Sequence, residues 1–124
     1  MEKLIIQEER KNCPGMYYYP EKNMLEVKGR SIPENPEAIF KRLDEWITDH
    51  FKTSDSLDVD FILEYINSGS SKFLYEILKK LANYINKGKK VNIRWLYEED
   101  DEAMLELGEH YRDTAGIPLT IEMI

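Results

Sequence analysis

Residues 57–66 alternate apolar and polar side chains. The chain then turns at Asn67-Ser68-Gly69-Ser70-Ser71-Lys72 into a second run, 73–85, whose apolar residues recur at helical spacing. A period of two marks a strand with one buried face; a period of 3.6 marks a helix with one buried stripe. In the strand, Leu57, Val59, Phe61, Leu63 and Tyr65 share one face, while Asp58, Asp60, Ile62, Glu64 and Ile66 share the other. In the helix, Phe73, Leu74, Ile77, Leu78, Leu81, Ala82 and Ile85 form the stripe, and Gly88 closes it beside Lys87. A strand that runs straight into a helix constrains the fold strongly. The next strand is favoured to return parallel to the first through a right-handed crossover. Residues 91–97 supply that strand, with Val91, Ile93, Trp95 and Tyr97 facing one way.

The remaining segments extend this unit in both directions. Residues 4–7 read as a short edge strand, and Cys13-Pro14-Gly15 is a break. Residues 16–19 and 24–28 form a hairpin about the turn Pro20-Glu21-Lys22-Asn23, ended by Gly29-Arg30-Ser31. Asn35 is a good N-cap for a helix with Pro36 at its first position and Glu37 in its first turn. Ile39, Phe40, Leu43, Trp46, Ile47 and Phe51 form that helix's stripe. After the acidic run 98–102 a third helix uses Met104, Leu107, Gly108 and Tyr111 and ends near Ala115-Gly116; residues 118–124 alternate as a last strand. The expected fold class is α/β: a mixed β-sheet with three helices mainly on one face. A length of 124 residues fits one domain, 1–124, with an N-terminal hairpin region, 1–30, and an α/β part, 31–124.

Charge and composition exclude several functions. The net charge of -7 argues against nucleic acid and against an anionic membrane surface, both of which need a basic footprint. Cys13 is the sole cysteine, so neither an intramolecular disulfide nor a thiolate metal cluster can form. No apolar run is long enough to span a bilayer, and Met1-Glu2-Lys3 leads only into Leu4-Ile5-Ile6, so no signal peptide is expected and the cytoplasm is the expected location. The six glycines are scattered and form no phosphate-binding motif. His50 and His110 lack metal-ligand spacing and read as helix-end or partly buried residues. Asp58 and Asp60 share a face and can in principle do acid–base work or hold Mg²⁺, but a solvated sheet face is the simpler account. The acidic run lacks the EF-hand pattern and reads as a helix cap. Tyr17, Tyr18 and Tyr19 read as sheet packing with alternate rings exposed. No catalytic set, metal site or cofactor motif emerges.

The serine corner carries two readings. In the plain one, Ser70 or Ser71 is an N-cap whose hydroxyl accepts a backbone N–H. In the functional one, the corner is a phosphorylation switch, because a helix start offers free N–H groups and the positive end of the macrodipole to an anion.

Three segments carry a resemblance that bears on this choice. Gly29-Arg30-Ser31-Ile32-Pro33-Glu34-Asn35, Tyr65-Ile66-Asn67-Ser68-Gly69-Ser70-Ser71-Lys72 and Val91-Asn92-Ile93-Arg94-Trp95-Leu96-Tyr97 resemble the SiaC family of bacterial regulatory phosphoproteins. The acidic run and the ending near Ile117-Pro118-Leu119 fit as well, so the likeness covers nearly the whole chain. That family resembles the STAS domain of anti-sigma-factor antagonists, which implies a STAS-like sheet and a non-enzymatic signalling role. The resemblance implies phosphorylation by a partner kinase of the histidine-kinase-like ATPase type and release by a PP2C-type phosphatase. A diguanylate cyclase or an anti-sigma-type pathway would be the output. The family's phosphorylated Thr follows the Asn of a Tyr-x-Asn-Thr motif. Ser68 holds that position here, a change that keeps the hydroxyl, and Gly69 follows where the family often has Ser. Ser70 and Ser71 are the fallback acceptors; Asn67, Gly69 and Lys72 are the expected contacts for phosphate or partner. The rival readings are a small metal-dependent enzyme using Asp58, Asp60 or Glu64, and a passive interaction subunit that pairs through its tyrosine-rich hairpin.

Overall fold

The computed structural model describes residues 2–124. In chain order the elements are β1 (Leu4–Gln7), β2 (Gly15–Tyr19), β3 (Met24–Ser31), α1 (Pro36–Thr53), β4 (Ser56–Ile66), α2 (Ser68–Asn86), β5 (Lys90–Tyr97), α3 (Glu102–Glu109), a π-helical turn (His110–Thr114) and β6 (Leu119–Met123). All six strands join one sheet in sequence order. The first three pair antiparallel, and β3 to β6 pair parallel through the three helical crossovers.

Register turns the alternating sequence into two unlike faces. Leu25, Val59, Ile93 and Leu119 form one cross-strand row, and Val27, Phe61, Trp95 and Ile121 the next. These rows are apolar and pack with Phe40, Leu43 and Ile47 of α1 and Leu74, Leu78 and Leu81 of α2 in one core. The intervening row, Glu26, Asp60, Arg94 and Thr120, lies on the opposite face. All three helices therefore cover the apolar side, as right-handed crossovers in one direction require. Asn35 caps α1 by accepting the Ala38 N–H, with Pro36 at the first position, as expected.

Four local expectations need correction. The strand β3 does not stop at Lys28 but continues to Ser31, because its last residues keep pairing with β4 as far as Ile66. Tyr65 does not face the core: it is 49% exposed. Gly29 pairs with Leu63 but Arg30 pairs with Tyr65, so Glu64 is an extra residue in β4. A bulge of this kind inverts the alternation beyond it, turning Ile66 inward and Tyr65 outward. None of the three tyrosines in β2 is exposed. The Tyr17 hydroxyl accepts the Glu9 N–H at 2.9 Å while Lys3 lies over its ring, Tyr18 packs on Trp46 at 4.7 Å, and the Tyr19 hydroxyl donates to Glu26. Finally, α2 begins at Ser68, a full turn earlier than its apolar stripe.

Close approach seats α3 on the sheet. Trp95, 1% exposed, donates its indole N–H to the Met104 carbonyl at 2.8 Å. A Cβ built on Gly108 would overlap the Trp95 ring, so the helix can come this near only with glycine there. Gly108→Ala is therefore expected to destabilise the fold by about 1–3 kcal/mol, an overpacking cost, read from the urea midpoint at unchanged slope.

Candidate functional site

The corner between β4 and α2 is built around Asn67. It lies in extended backbone, and its side-chain oxygen accepts the Ser70 N–H at 2.8 Å. Its carbonyl accepts the Ser71 N–H at 2.9 Å, and its own N–H donates to the Ser31 carbonyl at 3.1 Å, which ties the corner to the end of β3. The cap is thus Asn67, not Ser70 or Ser71: a capping residue must sit outside the helix, and both serines lie inside its first turn.

This assignment separates the four small residues. Ser68 is the first helical residue and is exposed, as are Gly69 and Lys72. Ser70 is fully buried, and its hydroxyl has no hydrogen-bond partner among the described residues. Burial removes it from the reach of any enzyme acting on the folded protein. Ser71 is half-buried, with its hydroxyl 3.0 Å from that of Tyr111. Of the three serines raised by the sequence, Ser68 alone combines exposure with a place at the helix start.

The π-helical turn forms the opposite wall. Between it and α2 lies a concavity of about 460 Å³ lined by Ser68, Ser71, Lys72, His110, Tyr111 and Thr114, among others; no carboxylate lines it. In a chain of net charge -7, Lys72 is the one formal charge among these lining residues. Tyr111 is 3% exposed; its ring meets Trp95 edge-on at 5.6 Å and lies parallel to Tyr75 at 6.2 Å. Burial raises the pKa of its phenol above the ordinary value, opposed only by the bond to Ser71. The sequence gives no hint of His110, Tyr111 and Thr114 at this site, because they lie some forty residues from the serine corner and only tertiary packing brings them there.

Burial of a neutral phenol has a pH consequence. A raised folded-state pKa means that Tyr111 contributes stability fully present below the unfolded tyrosine value of about 10 and lost as pH rises through the folded value. Chemical denaturation at pH 8 and at pH 10.5 is expected to show this loss, and Tyr111→Phe is expected to show a smaller one.

Two of the three carboxylates of the rival metal-enzyme reading, Asp58 and Asp60, are already engaged, and Glu64 is the exposed extra residue of the bulge. Asp60, 4% exposed, receives a two-pronged bond from Arg94 at 2.8 and 2.6 Å, and Arg94 also reaches Glu122 at 3.4 Å. Hydrogen bonding to Asp60 raises the pKa of the Arg94 guanidinium and secures its charge. Asp58 accepts the Asn92 amide at 2.9 Å. Among the described residues no group of three or more His, Cys, Asp or Glu is placed to hold a metal ion. Among the described residues no helix is long and apolar enough to cross a membrane.

The fold places the chain in a class of small α/β regulatory proteins. The chain belongs to the SiaC family of regulatory phosphoproteins, which it matches over residues 7–124. It is 30% identical over 99 residues to an uncharacterized protein of Pseudomonas aeruginosa strain UCBPP-PA14, covering 79% of each chain. Among solved structures it superposes on SiaC of Pseudomonas aeruginosa with a TM-score of 0.86 and 26% identity, each chain being covered in full. It also superposes on a chain of the complex of the diguanylate cyclase SiaD with its activator SiaC, from the same organism. There the TM-score is 0.87 at 26% identity, over 98% of this chain and 99% of that one. The family is one of regulators, and this protein is a regulator, not an enzyme.

Proposed function

We propose that this protein is a phosphorylation-gated activator of a diguanylate cyclase, with Ser68 as the modified residue and the cytoplasm as its location. The observation that carries the reading is the exposed Ser68 hydroxyl at the start of α2, beside Lys72 and His110, in a fold shared with a chain solved as the activator of SiaD. A kinase of the histidine-kinase-like ATPase type transfers the γ-phosphoryl group of ATP to the Ser68 oxygen. One O–P bond forms, the bond to ADP breaks, and the hydroxyl proton passes to solvent. A PP2C-type phosphatase reverses this with water, releasing inorganic phosphate. This is the partner exchange known for STAS-domain antagonists.

Charge explains how one hydroxyl can gate binding. Phosphorylation adds about 1.5 to 2 negative charges and three strong acceptors. Within the protein the added charge sits at the favourable end of α2, so the fold survives it. Across an interface the same charge must be stripped of water or set against a partner's carboxylates, and the partner lets go. The unmodified form is the activator.

Two measurements test this. Mass spectrometry of the protein isolated from its own cells is expected to find phosphate on Ser68. In binding assays with the cyclase produced by the same cells, Ser68→Ala should bind as the unmodified protein does. Ser68→Asp should fold normally yet bind about tenfold or more weakly, the scale of one misplaced interfacial charge. Equal affinity of the two variants would refute charge gating.

A further inference from the structure

The geometry points to Tyr111 as a positioning residue for Ser68: its hydroxyl clamps Ser71, so the π-helical turn holds the first turn of α2 in the pose that presents Ser68 to a phosphoryl donor. This rests on the reading of Ser68 as the modified residue.

The first turn of α2 needs such a hold. Gly69 follows Ser68 directly, and a Cβ there would meet nothing nearer than the Asn67 side chain at 3.7 Å. Glycine inside a helix is the residue with most freedom to lose, so it loosens the turn that carries the acceptor. On the N-terminal side Asn67 restrains this turn through the Ser70 N–H. On the C-terminal side the restraint is Tyr111. Its hydroxyl lies 3.0 Å from the Ser71 hydroxyl and donates to the Ser71 carbonyl at 3.3 Å. One arrangement satisfies both contacts: the Ser71 O–H donates to the tyrosine oxygen while the tyrosine O–H donates to the carbonyl. The clamp is well anchored, because the Tyr111 ring is buried against Trp95 and Tyr75. Burial also keeps the phenol protonated, so the donor is present throughout the physiological range.

The π-helical turn supplies the placement. It follows α3 directly and begins at His110, so the helix widens at the residue before Tyr111. Widened turns of this kind are rare and cluster at functional sites. With His110 and Thr114 lining the same concavity as Ser68, this turn forms the wall that faces the acceptor as well as the post that steadies it. A tyrosine serving only as a core aromatic would need its ring and not its hydroxyl.

That difference sets the experiment. Tyr111→Phe keeps the ring and removes the hydroxyl, Ser71→Ala removes the other partner, and Ser71→Thr retains a hydroxyl. Amide hydrogen exchange on the full chain is expected to quicken about 3- to 10-fold at residues 69–73 in Tyr111→Phe, which loses both contacts, and by less in Ser71→Ala, which keeps the bond to the carbonyl. Tyr111→Phe removes both contacts and Ser71→Ala only the one between hydroxyls, so the double variant should be no worse than Tyr111→Phe alone. Exchange in β4 should be unchanged, and Ser71→Thr should match the original protein. Unchanged exchange at 69–73, or a uniform rise along the whole chain, overturns the clamp. Phosphorylation is then followed with ATP and a soluble extract of the source cells. For Tyr111→Phe the limiting rate at Ser68 should fall several-fold with the apparent KM unchanged, because the outer surface is intact. Equal rates for the original and the variant overturn the positioning role. If the original chain takes up no phosphate, the reading of Ser68 fails and the positioning role fails with it, whereas the exchange result still decides the clamp.

Discussion

The parallel pairing of β4 with a strand on each side is the constraint from which the rest of the molecule follows. β4 is hydrogen-bonded to β3 and to β5, and its apolar side chains complete both buried rows of the sheet. Such a strand cannot slip by one residue without moving its whole apolar set to the polar face. Its C-terminal end is therefore held in one place. The bulge at Glu64 ends the regular alternation, Asn67 binds back to the end of β3, and α2 starts at once. In sheets with parallel strands, binding sites gather outside the carboxyl ends of the strands. The serine corner lies at such an end, between β4 and α2.

Three nearly identical side chains acquire three different fates within one helical turn. Ser70 points into the protein and is sealed there. Ser71 is tied to Tyr111. Ser68, three residues before Ser71 on the same helix, stays open to solvent over the concavity. A helix advances about 100° per residue, so neighbours in sequence face different surroundings. Glu26, Asp58 and Asp60 lie on the uncovered face of the sheet, whereas Lys72 borders a concavity with no carboxylate among its described lining residues. A phosphate on Ser68 would be tolerated by this surface and would be felt chiefly by whatever docks there.

Much of the architecture is legible in the order of the amino acids. Asn35-Pro36 marks the start of α1, and the apolar parity of β4 and β5 marks the core rows. Order and spacing of the segments point to the family. Legibility ends wherever a residue's neighbour is distant in the chain. The bulge that turns Tyr65 outward arises from the pairing of β4 with β3, not from β4 itself. Tyr17 is covered because the segment holding Glu9 folds over it. The contact of Tyr111 with Ser71 spans forty residues and depends on how closely Gly108 lets α3 approach Trp95.

Periodicity, capping chemistry and turn residues are local properties, written in consecutive side chains. They alone determined which segments are strands and helices, in what order, and that a hydroxyl-rich corner opens α2. Which of the serines is exposed, and which residues face it, were decided only by tertiary packing. The reason is physical: burial and hydrogen bonding depend on distances through space, and a chain's own order sets those distances only once the sheet has brought its remote parts together.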